Sequence, residues 1–180
     1  MSPFFPGALL TTLIVGLSGF VGSPRTPAHQ SLDDPTDLAV FEYLVTYDIE
    51  TSGIAAKKAT NADVRELANS FANAHRGLLK KTKDLATKVH ISPTQPKEAP
   101  MAEAHAEALR KLNATTGEEF DHVYLANEVA YHQGAITILE DSLVPAIKNP
   151  ELKALAKGAV SAFQAHLTAS KQLADKYHAS

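Results

Sequence analysis

Apolar and small residues recur every three or four positions along four long stretches of the chain, and each stretch reads as one face of a helix. The first face runs Leu38, Phe41, Val45, Asp48, Ser52, Ala55 and Ala59. Asp34 and Pro35 read as its N-cap and first turn, and Asp37 suits the same end of the helix dipole. After a step at Asn61, a second face follows with Val64, Leu67, Phe71, His75, Leu78, Thr82, Leu85 and Val89, and Ser92-Pro93 stops it. Thr116 and Glu119 have capping-box spacing, so a third helix should start near Gly117 and carry Phe120, Tyr124, Glu128, Tyr131, His132, Ala135 and Leu139 until Pro145 interrupts it. Asn149-Pro150 supplies a cap and first turn for the fourth, with Leu152, Leu155, Ala159, Phe163, His166, Ser170, Leu173 and Tyr177. Four helices are therefore expected, near residues 35–60, 62–90, 117–144 and 150–177.

The connections constrain how these helices pack. The first and second are separated by a few residues, as are the third and fourth, so each pair should form an antiparallel hairpin. Between them, TQPKEAP is followed by MAEAHAEALRKLNA, which reads as a short polar helix anchored by Leu109 and Leu112. That link is long enough to travel the length of a bundle, about 40 Å. The pattern predicts an all-α protein, and a ferritin-like four-helix bundle with a short extra helix in one long crossover is feasible. Simple up-down connectivity, with the link folding back, stays open.

The N-terminal segment differs in kind. Ala8 to Gly22 is uncharged and apolar or small, yet shorter than the ~20 residues that span a bilayer as a helix. Residues 1–28 therefore read as a signal peptide, with Thr26 and Ala28 at the −3 and −1 positions and a mature domain over 29–180. The rival reading is a retained anchor, since no Lys or Arg precedes the apolar run. Export would place the protein in the periplasm or outside the cell. Seventeen Lys and Arg against twenty Asp and Glu give a net charge of −3 without a basic block, which argues against a nucleic-acid partner. With no cysteine, thiol catalysis and Cys-based metal sites are excluded.

Charge and polarity become informative inside the helical faces. Asp48, His75, His132 and His166 lie near the middle of the four helices, one on each, so they share one level of a bundle whichever way each helix runs. Three imidazoles and a carboxylate suit Zn, Fe, Mn or Cu. Glu128, one turn from His132, and Glu50, close to Asp48, are alternative oxygen ligands. A buried His–carboxylate network without metal is the competing reading, and a half-satisfied version of it would be costly. The remaining candidates carry less chemistry. His90 reads as a helix cap, and His105, His122 and His178 as solvated. Tyr124 and Tyr131 suit the core edge, and Tyr43 and Tyr47 packing or an interface. No serine, such as Ser70 or Ser161, has nucleophile-elbow context, and no glycine has the setting of a phosphate loop.

From about Phe41 to Ala174 the chain resembles the bacterial DUF4142 proteins, a group of exported, ferritin-like helical proteins of unassigned function. NADVRELANSFANAHRG resembles the family's second helix, with His75 on its histidine. FDHVYLANEVAYHQGAITILE resembles its most specific motif, where Phe120, Asp121, Tyr124 and His132 take the characteristic positions. LKALAKGAVSAFQAHLTASKQLA resembles the last helix, with His166 on the family histidine, and Asp48 and Glu50 fall where members place acidic residues. Ala74 and Tyr131 stand where members often have Asp, and Ser161 where they often have proline. A ferritin di-iron centre needs Glu three residues before a ligating histidine on two helices, and here those residues are Ala72, Val129 and Phe163. The resemblance implies a fold and no enzymatic activity. Three functions stay open: an exported metal-binding protein for storage, buffering or stress protection; a non-enzymatic envelope scaffold that engages an envelope protein partner; and a divergent metal-dependent oxidoreductase.

Overall fold

The computed structural model describes residues 33–96 and 100–178, so the expected signal peptide and the start of the domain assigned to 29–180 lie outside the described residues. All regular structure within them is helical: α1 (Asp34–Lys58), α2 (Ala62–Lys88), α3 (Pro100–Ala114), α4 (Gly117–Ile138), a π-helical turn (Leu139–Leu143), α5 (Val144–Ala146) and α6 (Pro150–His178). Among the described residues no helix is long and apolar enough to cross a membrane.

Helix ends follow local chemistry, with some differences from the expected boundaries. Asp33, rather than Asp34, caps α1: its Oδ1 accepts from Thr36 N at 3.1 Å and from Thr36 Oγ1 at 2.6 Å. Asp34 instead accepts the backbone N–H groups of Lys148 (2.6 Å) and Asn149 (2.9 Å), tying the start of α1 to the start of α6. Asn61 and Asn149 cap α2 and α6 as their sequence contexts indicate. The capping box expected at Thr116 does not form, because Thr116 makes no side-chain cap bond. Gly117 enters α4 at φ 67°, away from the helical φ that the box geometry assumes. Helix α2 stops at Lys88. There His90 N–H donates to Thr87 O (3.3 Å) and Ile91 N–H to Ala86 O (3.0 Å), the paired bonds of a Schellman end with His90 at φ 56°. His90 thus closes the helix through its backbone. Pro145 has no N–H to give to Asp141, and the chain meets it by widening into the π turn, where Val144 N–H donates to Leu139 O.

Contacts along the helices fix the topology. Around the bundle, α1 and α6 each neighbour both α2 and α4, while α3 rests on α1 and α4. Tyr131 Oη donates to Leu44 O, and Thr60 N–H donates to Asp121 at 3.0 Å, so α1 and α4 are antiparallel. Lys88 pairs with Glu151 and Lys176 with Asp63, so α2 and α6 are antiparallel too. Residues of the crossover follow α1 from end to end: Thr94 N–H donates to Pro35 O (2.9 Å), Tyr43 Oη to Met101 O (3.2 Å) and Lys58 Nζ to Leu112 O (2.6 Å). The link therefore runs the whole bundle, α2 and α4 point the same way, and the arrangement is ferritin-like with one long crossover.

The apolar core falls into two parts. One holds Leu38, Phe41, Leu44, Leu139, Leu152 and Phe163. The other holds Ala55, Val64, Leu112, Phe120, Tyr124 and Leu125. Between them lies a layer of fully buried polar groups: Asp48, Thr51, Ser52, His75, Glu128 and His132. An apolar side chain at any of these positions would contribute about 1.5–3 kcal/mol by burial, so the polar layer is a departure from the most stable packing.

Asp121 shows what a buried carboxylate does when its role is structural. It accepts Thr60 N (3.0 Å), Thr60 Oγ1 (2.5 Å) and Asn61 N (2.8 Å), and so holds the α1–α2 corner. Replacing Asp121 by Ala leaves two backbone N–H groups without their acceptor. Urea denaturation should register a loss of about 2 kcal/mol, and an unchanged midpoint would contradict this role.

Candidate metal centre

Each bundle helix contributes one residue to a single group: Asp48 from α1, His75 from α2, His132 from α4 and His166 from α6. One ligand atom from each lies within 4.8 Å of all the others. His75 Nε2 stands 2.7 Å from Asp48 Oδ2 and 3.1 Å from His166 Nδ1, and His132 Nε2 stands 3.6 Å from Asp48 Oδ2. Bonds of about 2.0–2.1 Å to a tetrahedral ion separate neighbouring ligand atoms by about 3.3 Å. The three separations bracket that value within several tenths of an ångström.

A hydrogen bond to the backbone fixes the tautomer of His132. His132 Nδ1 lies 2.9 Å from the backbone oxygen of Glu128, an atom that can only accept. The Nδ1 proton is therefore in place, and the lone pair sits on Nε2, facing the Asp48 carboxylate. His132 Nε2 has no hydrogen-bond partner. Two lone pairs confront one another across 3.6 Å in a fully buried layer, an arrangement that a cation between them would relieve. Burial pushes His132 down to about 4, and burial with the nearby His75 and His132 does the same to His166. Both imidazoles are thus neutral at pH 7, the state in which histidine ligates metal. Burial pushes Asp48 up, but the hydrogen bond and charge of His75, with help from His132 and Ser52, outweigh it and bring Asp48 to about 2.

The surroundings hold these side chains still. Ser52 Oγ donates to Asp48 Oδ1 (2.6 Å) and is itself 2.9 Å from Tyr124 Oη. Phe71 stacks on His166 at 4.1 Å between centroids, and the edge-on contacts of Phe163 with His75 (4.9 Å) and Tyr131 with His132 (5.0 Å) orient those rings. Ser52 and Tyr124 were not singled out as site residues from the sequence. Ser52 lies one helical turn from Asp48, and Tyr124 one turn from Glu128, so the three/four spacing was the available signal.

Of the two alternative carboxylates, Glu128 borders the group and Glu50 does not. Glu128 is fully buried, but it faces the Nδ1 side of His132, with Oε2 3.5 Å away, and Oε1 accepts weak bonds from Asn127 and Thr51. Burial, reinforced by the negative charge of Asp48 and close contact with that carboxylate, pushes its pKa well above the usual carboxylate range. Glu50 is exposed on another side of α1, 3.2 Å from His105 Nε2. His105, expected to be solvated, is buried by α1: it stacks on Tyr47 at 4.4 Å and meets Tyr43 Oη at 3.2 Å. Tyr124 and Tyr131 lie inside the core rather than at its edge. His122 is half-buried against Tyr177. The side chain of His178 lies outside the description.

Among solved structures, the fold is similar to "Crystal structure of DUF305 fragment from Deinococcus radiodurans", with a TM-score of 0.65 and 17% sequence identity over 79% of this chain and 97% of that one. At that identity the likeness speaks for the fold alone. No curated protein matches the sequence. His75, His132 and His166 all fall within residues 22–173, over which the chain matches the family described as "Domain of unknown function (DUF4142)", and the chain belongs to that family.

Proposed function

We propose that this protein is exported to the periplasm or beyond and there binds one divalent transition-metal ion between Asp48, His75, His132 and His166, as a metal buffer. The observation that carries the reading is the confrontation of unprotonated His132 Nε2 with Asp48 Oδ2 inside a fully buried polar layer, at a spacing that fits a shared ion. Three nitrogens and one carboxylate oxygen, with no sulfur donor, favour Zn, Cu(II), Fe or Mn over Cu(I). One group of this kind holds one ion, which suits buffering better than bulk storage. Export is supported by the uncharged apolar run from Ala8 to Gly22.

Untagged protein purified from its native envelope without chelator tests both halves. Elemental analysis should find about one equivalent of metal per chain, removable by chelator and restored by micromolar Zn or Mn. Intact mass should place the N-terminus after Ala28. Retained Met1 would contradict export by cleavage. Failure to bind Zn, Fe, Mn or Cu at micromolar concentration would remove the metal reading and leave the polar layer as a device that specifies packing.

A further inference from the structure

Aromatic rings form an unbroken file from the middle of the bundle to its α1–α3 side. Tyr131 meets His132 edge-on, with 5.0 Å between centroids. Tyr131 in turn lies flat on Tyr47, at 4.2 Å and 8° between ring planes, and Tyr47 stacks on His105 at 4.4 Å. Tyr131, Tyr47 and His105 are only 5–8% exposed, so the file runs through protein rather than solvent. Tyr43, one turn before Tyr47 on α1, closes it with Oη 3.2 Å from His105 Nδ1. Tyr43 is half-buried and Glu50, beyond His105, is exposed, so the file ends at the surface.

The phenols differ in where their protons can go. Tyr131 Oη donates to Leu44 O, and Tyr47 Oη to Asn127 Oδ1 at 2.9 Å. A backbone carbonyl and a carboxamide oxygen accept hydrogen bonds but do not take up a proton. A phenol that has lost an electron is a very strong acid, so oxidation is costly at a ring whose proton has no base to receive it. Tyr43 has such a base. His105 Nε2 stands 3.2 Å from the Glu50 carboxylate, which places the proton on Nε2 and the lone pair on Nδ1, toward Tyr43 Oη. Burial pushes the imidazole below its ordinary pKa, so it is neutral at pH 7.

We propose that Tyr131, Tyr47 and Tyr43 are a one-electron relay, in which an oxidising equivalent formed at the centre of the bundle leaves through the stacked rings and settles on Tyr43. The oxidant, an oxidised transition-metal ion or an oxygen radical, gains one electron from the Tyr131–Tyr47 stack. An electron from Tyr43 refills the stack, the Tyr43 Oη–H bond breaks, and the proton passes to His105 Nδ1. The products are the reduced oxidant, a neutral Tyr43 radical and a His105 imidazolium facing Glu50. A soluble one-electron donor then resets Tyr43 at the surface, and the proton returns from His105. The relay is built from the chain's own rings and stands without the metal reading.

The chain has no cysteine, so Ala162→Cys on the exposed side of α6 gives a single attachment point. Ala162 adjoins Phe163, whose ring centroid is 5.6 Å from that of His132 and 6.3 Å from that of Tyr131, and α6 lies diagonally across the bundle from α1. A ruthenium polypyridyl complex tethered there, oxidised to ruthenium(III) by a light flash and a dissolved electron acceptor, injects the oxidising equivalent opposite Tyr43. Metal-free protein should then yield a long-lived neutral tyrosyl radical, read by visible absorbance and electron paramagnetic resonance. The radical should vanish in Tyr43→Phe, and it should form more slowly in heavy water because an O–H bond breaks. Tyr47→Phe keeps a stacked ring that is harder to oxidise, and should slow formation at least about tenfold, the effect of about 1.4 kcal/mol in barrier. His105→Phe keeps the stack on Tyr47 but removes the base, and should suppress the long-lived radical although Tyr43 is present. Circular dichroism shows that each variant is folded. A radical that survives Tyr43→Phe, an unchanged rate in Tyr47→Phe, or decay of ruthenium(III) without any tyrosyl radical overturns the relay. With no metal present, none of these outcomes bears on the metal centre.

Discussion

Replacing His132 by Ala is expected to abolish stoichiometric metal binding while leaving the helical fold intact. His132 supplies one of three nitrogen donors, and its lone pair is already directed by the Nδ1 contact with Glu128 O. Loss of a residue that only supports a ligand weakens metal affinity about 10–100-fold, so loss of the ligand itself should exceed 100-fold in a Zn or Co titration. The fold should survive because the two apolar clusters above and below the layer are untouched. Circular dichroism then separates a lost ligand from a lost structure. Glu50→Gln is the matched control: Glu50 pairs with His105 outside the group, so its variant should bind metal as the wild type does. Above about pH 4 neither His132 nor His166 has a proton to surrender, so their competition with protons should appear only on strong acidification. Equal metal affinity in His132→Ala and wild type would place the ion elsewhere.

Much of this site was legible because helices convert spacing into position. The residues of the first pattern, Leu38 through Ala59, are all buried, and Asp48, His75, His132 and His166 meet at mid-height because each lies near the centre of its helix. The same geometry argues against Glu50: two residues from Asp48 is about 200° of rotation, on nearly the opposite side of α1. Glu128 could not be resolved in this way. It shares a face with His132, and only the folded chain shows that its Oε2 lies 3.5 Å from Nδ1 while its carboxyl also borders Asp48.

Misread elements have local causes. His105, Ala108 and Leu112 form a three/four pattern that buries one side of α3, but the many charged neighbours made the helix look solvated. Asp33 and Asp34 are equally good caps in isolation, and their division of labour depends on Lys148 and Asn149, far away in sequence. Pro145 announced an interruption without saying whether the helix would break or widen. The direction of the crossover, left open by its length, is set by contacts such as Lys58 to Leu112 that only the folded chain brings together.

Glu128→Gln should stabilise the metal-free protein, by an amount that grows with pH. In the unfolded chain Glu128 ionises near pH 4.5, whereas in the fold burial and the Asp48 charge keep it protonated well above that. A carboxyl whose folded pKa is raised contributes its full stability below the unfolded value and loses it as pH rises, because unfolding then releases a proton. Between the two values the loss approaches about 1.4 kcal/mol per pH unit. Glutamine has nearly the same shape and cannot ionise in either state, so the variant escapes this loss. The neutralised histidines work in the opposite sense: their folded pKa values near 4 remove stability as pH falls from about 6.5. They are present in both proteins and largely cancel in the difference. Urea denaturation of the two apoproteins should therefore give similar stabilities near pH 4.5 and a gap that widens in favour of Glu128→Gln toward pH 8. A gap that stays flat across that range would mean that Glu128 ionises as freely in the fold as outside it. Saturating zinc should narrow the gap, because a cation in the same layer favours the carboxylate form and lowers the folded pKa of Glu128.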